Sequence, residues 1–568
     1  EYWLLDPLNG VKPYLLTSID NGAGLKTTIE YSTSAFERTA DLAEGRRWSG
    51  YLPFAVNVVK RIVNHDAVTN QHSVTEYRYH DGHYDGRARE YLGFAEVDSR
   101  MLATEHEAEV RQRYYFHTRT TTARDPKFIA GKGQPHRTEL FDSTNGELRR
   151  IDESVWTARP VDTIDASAHA YLALETKRVS RRLEAGIEYE REDFAYTHDE
   201  VGNVTREVRR GEWRNGANAV HVDELIIEST YARHAAHGFT SFVSRVRKSD
   251  GTGRLLKHIT NFYDGPALEG LPFGEVKLGW KSRQREIALT AREVLEAYGS
   301  TVPALVDTLY ERNNDPVEGL NWARDLRCYR HDAFGNQIET CDALGHRVEI
   351  EFDGDGINAV AMREDDGPSR ALRYDPVSQQ LALTEDLNGQ TTAFEYDALG
   401  RTVSVYRPGA IAGLPTETYE YHVDTVPNRT VQRIRLDPSA PTAGCVKVEY
   451  RDGSARTAQV KRLTEDGRWS VGRQLVYGIS GRELGERDAW FSTTSEFGAT
   501  PPSGLATRRW YYDFACRLVR EELFGGGVTR HLLRHLTRRR TAHVHIELLI
   551  VEREVVVRGA RMLSRVRI

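Results

Sequence analysis

The chain has 568 residues, beyond the roughly 250–300 that one core sustains, so several domains or an extended repeat architecture are expected. Its 77 basic and 83 acidic residues leave a net charge of −6, which excludes the basic balance of a nucleic-acid binder or a membrane-surface protein. Aromatic residues make up 10%, including 27 Tyr, which excludes a fully disordered chain.

Taken in chain order, the dominant signal is short alternating segments. Thr75, Tyr77 and Tyr79 share one face near the start. Val348, Ile350 and Phe352 oppose Arg347, Glu349 and Glu351, and Thr392, Phe394 and Tyr396 oppose Ala393 and Glu395. Period two over such lengths is the strand signal. Between these segments stand turn pairs such as Asn21-Gly22, Asp81-Gly82, Asp85-Gly86, Gly202-Asn203, Gly335-Asn336 and Asn388-Gly389. Gly and Asn tolerate positive φ, so these pairs mark hairpins. The fold class is all-β, mainly antiparallel. Short helices are expected only at 291–298 and 303–312, in a connection between β regions. No run of about 18 apolar residues exists, so direct membrane insertion is not expected. The most apolar tract, 548–557, is interrupted by Glu552, Arg553 and Glu554.

A repeat emerges between about 325 and 410. Asp332, Asp353, Asp375 and Asp397 stand 21, 22 and 22 residues apart, preceded by His331, Phe352, Tyr374 and Tyr396. Gly335, Gly356 and Gly400 follow three positions after their Asp. The fullest unit reads Gly389-Gln-Thr-Thr-Ala-Phe-Glu-Tyr396-Asp397-Ala-Leu-Gly400-Arg401, with looser copies at Tyr196 to Asn203 and at Tyr512-Asp513. Each Asp is expected to cap a turn and each Gly to supply its left-handed position. One unit is then a two-stranded hairpin, which cannot bury its own face and must join a larger sheet. From Arg530 to Ile568 the pattern changes: ten Arg stand against three Glu and turn residues nearly vanish. This tail reads either as out of register with the rest or as a basic helical segment.

Chemical motifs are sparse. Cys328, Cys341, Cys445 and Cys516 stand alone without a CxxC, so neither a zinc site nor a redox pair is signalled and the compartment stays open. Asp353-Gly-Asp-Gly356, with Glu364 at the loop count, could open a calcium loop, but the intervening 357–361 are largely apolar and the Asp already belongs to the repeat. The pairs His80/His83 (beside Asp81 and Asp85), His234/His237 and His543/His545 could chelate metal, yet no third ligand is visible beside them. There is no H-E-x-x-H, G-x-S-x-G or P-loop. A carboxylate pair of glycosidase type cannot be located among so many turn Asp. The basic tail lacks the interleaved aromatics of a nucleic-acid site. No catalytic, cofactor-binding or metal residue is therefore assigned, no cofactor is expected, and an enzyme is not expected.

The unit at 389–401 is similar to the YD repeat of Rhs proteins, teneurins and Tc toxins. Three ordered segments narrow the likeness: Lys12-Pro-Tyr-Leu-Leu-Thr-Ser-Ile-Asp-Asn-Gly22, Leu52-Pro-Phe-Ala-Val56, and Tyr79-His-Asp-Gly-His-Tyr-Asp-Gly86-Arg-Ala-Arg-Glu-Tyr-Leu-Gly-Phe94. They resemble the middle region of the Tc insecticidal toxin B component and of SpvB-type proteins. The resemblance covers roughly 10–130, 190–210 and 320–410. It implies an extended curved sheet forming part of a hollow shell that encloses a cytotoxic effector. It also implies a cargo-bearing C-component Rhs partner, a pentameric A-component channel met through an upstream propeller outside this chain, and a secreted bacterial location after a cytoplasmic stage. Glu1 in place of Met leads to the expectation of a piece of a longer protein.

The resulting division is 1–140, a Tc-B middle-region-like β segment; 141–320, a β-rich segment with a short helical connection; 321–520, the YD-repeat segment; and 521–568, an atypical basic tail. Two departures stand out: Ala515-Cys516 precede Arg517 where a Gly is expected, and the self-cleaving end of the C component is not recognisable. The alternatives are a teneurin-like recognition protein and the scaffold of an SpvB-type toxin whose enzymatic domain lies outside the chain.

Overall fold

The computed structural model describes residues 12–86, 89–118, 131–161, 170–213, 224–234, 238–299, 302–315, 317–365, 370–437, 444–498, 502–503, 505, 507–523, 527–533, 550–557 and 560–567. The chain forms two compact units, residues 1–121, 132–149 and 411–568 in one, 122–131 and 150–410 in the other. Both are built almost wholly from antiparallel strands, most of them paired with their neighbours in sequence.

The first unit opens with β1 (Ser18–Asp20), β2 (Leu25–Thr33), helix α1 (Ser34–Ala43), β3 (Asn57–Asp66), β4 (Gln71–Asp85), β5 (Glu90–Met101), β6 (Val110–Phe116) and β7 (Pro135–Asp142). The seven strands pair in that order. Helix α1 starts because Thr33 caps it, its hydroxyl accepting from the Phe36 N–H at 3.2 Å. Its inward face carries Ser34, Glu37 and Asp41, while Phe36 and Leu42 lie exposed. The usual polarity of a surface helix is thus inverted, and sequence periodicity did not foresee this helix.

The unit's C-terminal part adds a second meander through Glu417–His422, Asn428–Ile434, Cys445–Arg451, Thr457–Leu463 and Trp469–Val471. Val431, Val448 and Tyr450 form its core, with Val446, Trp469 and Phe497 against them. Segments some 400 residues apart are stitched together here. Asn21 donates to the Gly453 carbonyl at 2.7 Å, and the Gly453 N–H donates to Asp66 at 3.0 Å. The N–H groups of Ala108 and Tyr512 donate to the carbonyls of Tyr512 and His106 at 3.0 and 2.8 Å. In the tail, Ile550–Val557 and Ala560–Arg567 pair as an antiparallel hairpin, not as a helix, while 534–549 lie outside the described residues.

The second unit runs as a meander from Leu148–Val161 to Thr402–Tyr406. Helix α2 (Ala291–Tyr298) is held by a reciprocal capping box between Thr290 and Glu293. Helix α3 (Ala304–Leu309) ends before the expected 312, because Glu311–Asp315 pairs with Gly319–His331 as a strand. Val294, Val306 and Trp322 form the core beneath both helices, and the Trp322 indole donates to Asp307 at 2.7 Å. No described helix is long and apolar enough to cross a membrane.

Candidate functional site

The repeat region is a ladder of short strands, Gln337–Asp342, Arg347–Phe352, Ala359–Glu364, Arg370–Tyr374, Leu381–Glu385, Thr391–Tyr396 and Thr402–Tyr406. Exposure alternates strictly along Arg347–Phe352, as the period-two reading expects. Most of its described turns share one construction, while those at Asp353 and Asp375 close one residue later. At Asp397, the N–H groups of Leu399 and Arg401 each donate to Oδ1 at 2.9 Å, and the Arg401 Nε donates to Oδ2 at 2.6 Å. The Asp397 N–H closes the loop onto the Arg401 carbonyl at 2.9 Å. One carboxylate thus satisfies the donors that a tight turn would orphan. The same pattern recurs at Asp332, with Phe334 and Asn336 donating at 2.8 and 2.9 Å, and at Asp452, with Ser454 and Arg456 both at 2.9 Å. The Arg401 N–H, as largest cause, holds the Asp397 carboxyl below its ordinary range.

Two features of these turns went beyond the 21–22-residue spacing. Asp342 and Asp386 cap turns between the repeat Asp, so hairpins are closed at both ends of their strands. Ala455 and Cys516 also occupy the left-handed position that Gly400 takes, with φ of 63°, 64° and 75°. The Ala515-Cys516 departure therefore preserves the turn: Asp513 still accepts from Ala515 and Arg517 at 3.0 and 2.9 Å.

Apolar side chains project from these turns. Phe334, Leu344, Val377 and Leu399 are 70%, 79%, 91% and 76% exposed. A methyl group at Gly356 would meet the Phe334 ring at 2.7 Å, so one turn's aromatic lies over the next repeat's glycine.

In the first unit, two of the sequence segments singled out above come together. The 48–54 stretch folds over β4, with Phe54 and Tyr84 ring centroids 5.3 Å apart and Trp48 edge-on to Phe94 at 5.9 Å. A side chain at Gly82 would strike Leu52 at 2.4 Å, which explains a glycine in mid-strand. Asp81 accepts from the Gly50 N–H at 2.7 Å and the Ser49 hydroxyl at 2.6 Å, with His83 Nε2 at 3.2 Å from its carboxylate. Burial works to raise the Asp81 pKa, but His83, Ser49 and Gly50 outweigh it and hold the group well below the carboxylate range.

His80 does not join His83; its surroundings are different. Its Nδ1 lies 2.8 Å from Asp41 on α1, and across the sheet it faces Glu96, with Asp98 diagonal to it. Arg113 of β6 grips Asp98 with two N–H groups at 2.6 and 2.9 Å. Arg46 reaches Glu96 at 3.0 Å, and Arg78 reaches Glu37 at 2.9 Å. Burial lowers the His80 pKa, but Asp98 and Asp41 overcome it, so the net shift is upward.

The other sequence candidates separate. The Asp353 carboxylate is engaged by the Ile357 N–H at 2.8 Å and by Asn358, while Glu364 pairs with Val348 at the far end of its strand, about 15 Å along the chain direction. The two do not form a calcium loop. His234 stands on the strand Leu225–His234, and His237, His543 and His545 lie outside the described residues. Cys328 and Cys341 do not stand alone: they face each other across adjacent strands, Cα atoms 5.0 Å apart, and form a disulfide.

Residues 7–123 match a family model described as the insecticide toxin TcdB middle/N-terminal region. No curated protein matches the chain. Among solved structures, the chain is similar to the crystal structure of TcdB2–TccC3, at 15% identity and a TM-score of 0.79, over 92% of this chain and 34% of that one. It is also similar to the Photorhabdus luminescens Tc holotoxin pore, at 14% identity and a TM-score of 0.80, over 97% of this chain and 37% of that one. The chain shares their fold and spans about a third of the length of these solved chains.

Proposed function

We propose that this chain is a wall segment of a Tc-type toxin complex, part of a β shell that encloses a cytotoxic effector for delivery. The observation that carries this reading is the likeness to TcdB2–TccC3 over 92% of the chain, in a fold whose repeat region is a ladder of Asp-capped hairpins. The family-model match over 7–123 points the same way. On this reading the chain is not an enzyme: its repeated carboxylates are spent on turn N–H groups, and its task is confinement. A cargo denied room to pack stays unfolded until release. The partners would be a cargo-bearing C-component Rhs protein and a pentameric A-component channel, the latter met through a propeller outside this sequence. The Cys328–Cys341 disulfide supports a secreted location, because such bonds persist in oxidising compartments.

Co-expression with a cargo-bearing Rhs protein, followed by electron microscopy of the purified complex, tests the reading. The expected result is a hollow particle with protease-protected density inside. A solid particle, or no complex, would overturn it in favour of a surface-recognition role.

A further inference from the structure

The inverted helix α1 has a second peculiarity beneath it. Ser34, Glu37 and Asp41 are 3%, 1% and 0% exposed, and the two acids face β4, whose neighbours β5 and β6 continue a charged strip. At its centre His80 is 3% exposed. Asp41 is an acceptor, so the proton on His80 Nδ1 points to it, and in the neutral ring the Nε2 lone pair points the other way. That Nε2 has no hydrogen-bond partner; the buried Oε1 of Glu96 accepts no hydrogen bond and has only the Arg113 guanidinium beside it, at 3.0 Å. Asp98 is the nearest acid to Nε2, at 3.8 Å. This gap is too long for a hydrogen bond. It is a natural separation for two donors of one ion, each about 2.0–2.2 Å from it. One ligand atom each from His80, Glu96 and Asp98 lies within 4.8 Å of the others.

The charges agree. Around this point stand Glu37, Asp41, Glu44, Glu96 and Asp98, against Arg46, Arg78 and Arg113. Two negative charges are left over with His80 neutral, the deficit that a divalent cation fills. The arginines hold the carboxylates in place: Arg113 spans Asp98 and stands 3.0 Å from Glu96 Oε1, and Arg46 takes Glu96 Oε2. Carboxylate oxygens carry two lone pairs each, so an arginine and an ion can share one group.

We propose that His80, Glu96 and Asp98 bind one divalent transition-metal ion of the zinc class, with Asp41 as the positioning residue that fixes the His80 ring. A carboxylate on the far nitrogen of a ligating histidine is the usual arrangement at such centres. The ion ties α1, through Asp41 and His80, to the β4–β5 hairpin. The role is structural, and it stands independently of the shell reading.

The test uses the full 568-residue chain without a polyhistidine tag, stripped with chelator and titrated with cobalt(II) or zinc(II) chloride. One equivalent is expected to bind, with a visible cobalt(II) band and a raised melting temperature. The isosteric variants Glu96→Gln and Asp98→Asn are expected to weaken binding by about tenfold or more. X-ray absorption of the zinc-loaded wild type is expected to report one imidazole with oxygen ligands, and it needs no variant to fold. Failure of the wild type to take up stoichiometric metal would overturn the proposal and leave a proton as His80's charge. So would binding that survives in both folded variants, or a first shell with sulfur or two imidazoles.

Discussion

The N-terminal sheet of the first unit and the repeat ladder of the second use the same strands to different ends. In the former, a polar helix face, three arginines and buried carboxylates are locked by contacts between distant residues, as in the Asp41–His80 pair. In the ladder, the described turns at Asp332, Asp342, Asp386 and Asp397 are satisfied within about five residues by their own Asp, and the apolar turn residues stay exposed. Removing one member of the first arrangement strands several others; removing one capping Asp from the second leaves the caps of its neighbours in place. Local closure suits repetition, whereas distributed closure suits a unique position.

The largest expected effect tests that contrast. Asp41→Ala leaves His80, the Trp48 indole and Arg78 without their shared acceptor, so it should cost about 3–5 kcal/mol, the scale for breaking a buried ion pair. Hydrogen exchange should rise together across α1, β4 and β5. Exchange confined to α1 would contradict the account of distributed closure.

A smaller effect of opposite sign is expected at Ala455. This residue holds φ 63°, where an L-residue is disfavoured, in an otherwise standard Asp-capped turn. Ala455→Gly should stabilise the first unit by about 1 kcal/mol, read as a shift in the chemical-denaturation midpoint. A loss of stability would mean that the methyl group, not the turn, decides the site.

Asp397→Asn should have the smallest effect, limited to faster exchange at Leu399 and Arg401. The pH dependence sharpens this. Asp397 and Asp353 have lowered carboxyl pKa values, so their support is complete above the ordinary carboxylate pKa near 4 and is lost as pH falls through the lowered values. Protection factors at the ladder turns, corrected for the intrinsic pH dependence of amide exchange, should therefore fall together below about pH 4 and stay flat above it. A loss of protection between pH 6 and 8 would contradict the assignment.

How legible all this was depends on how local each feature is. The alternation at Arg347–Phe352 and the Asp-x-x-Gly turns are written within single segments, so the strands and turns could be read directly. Asp342 and Asp386 follow the same spelling and needed only a search at half the period. Helix α1 was hidden because its buried stripe is Ser34, Glu37 and Asp41, and hydrophobic periodicity cannot see a polar stripe. His80 was found, but beside the wrong partner. An odd separation puts His83 on the other face of an alternating strand, and Glu96 and Asp98 become neighbours only once the β4–β5 register is known. The Cys328–Cys341 pair could have been reached by counting outward from the Asp332 turn, since the two residues flank it almost symmetrically.

The self-contained turn has a consequence for how such a chain can change. Because the described turns carry their own capping Asp, deleting or duplicating a whole unit of about 22 residues keeps that capping in the turns that remain and leaves every strand side chain on its original face. Each such event would shorten or lengthen the ladder by two strand spacings, about 10 Å. A single-residue insertion inside a strand would instead turn its inward face outward. The ladder is therefore a ruler graduated in whole hairpins, free to be recut at its marks and intolerant of any cut between them.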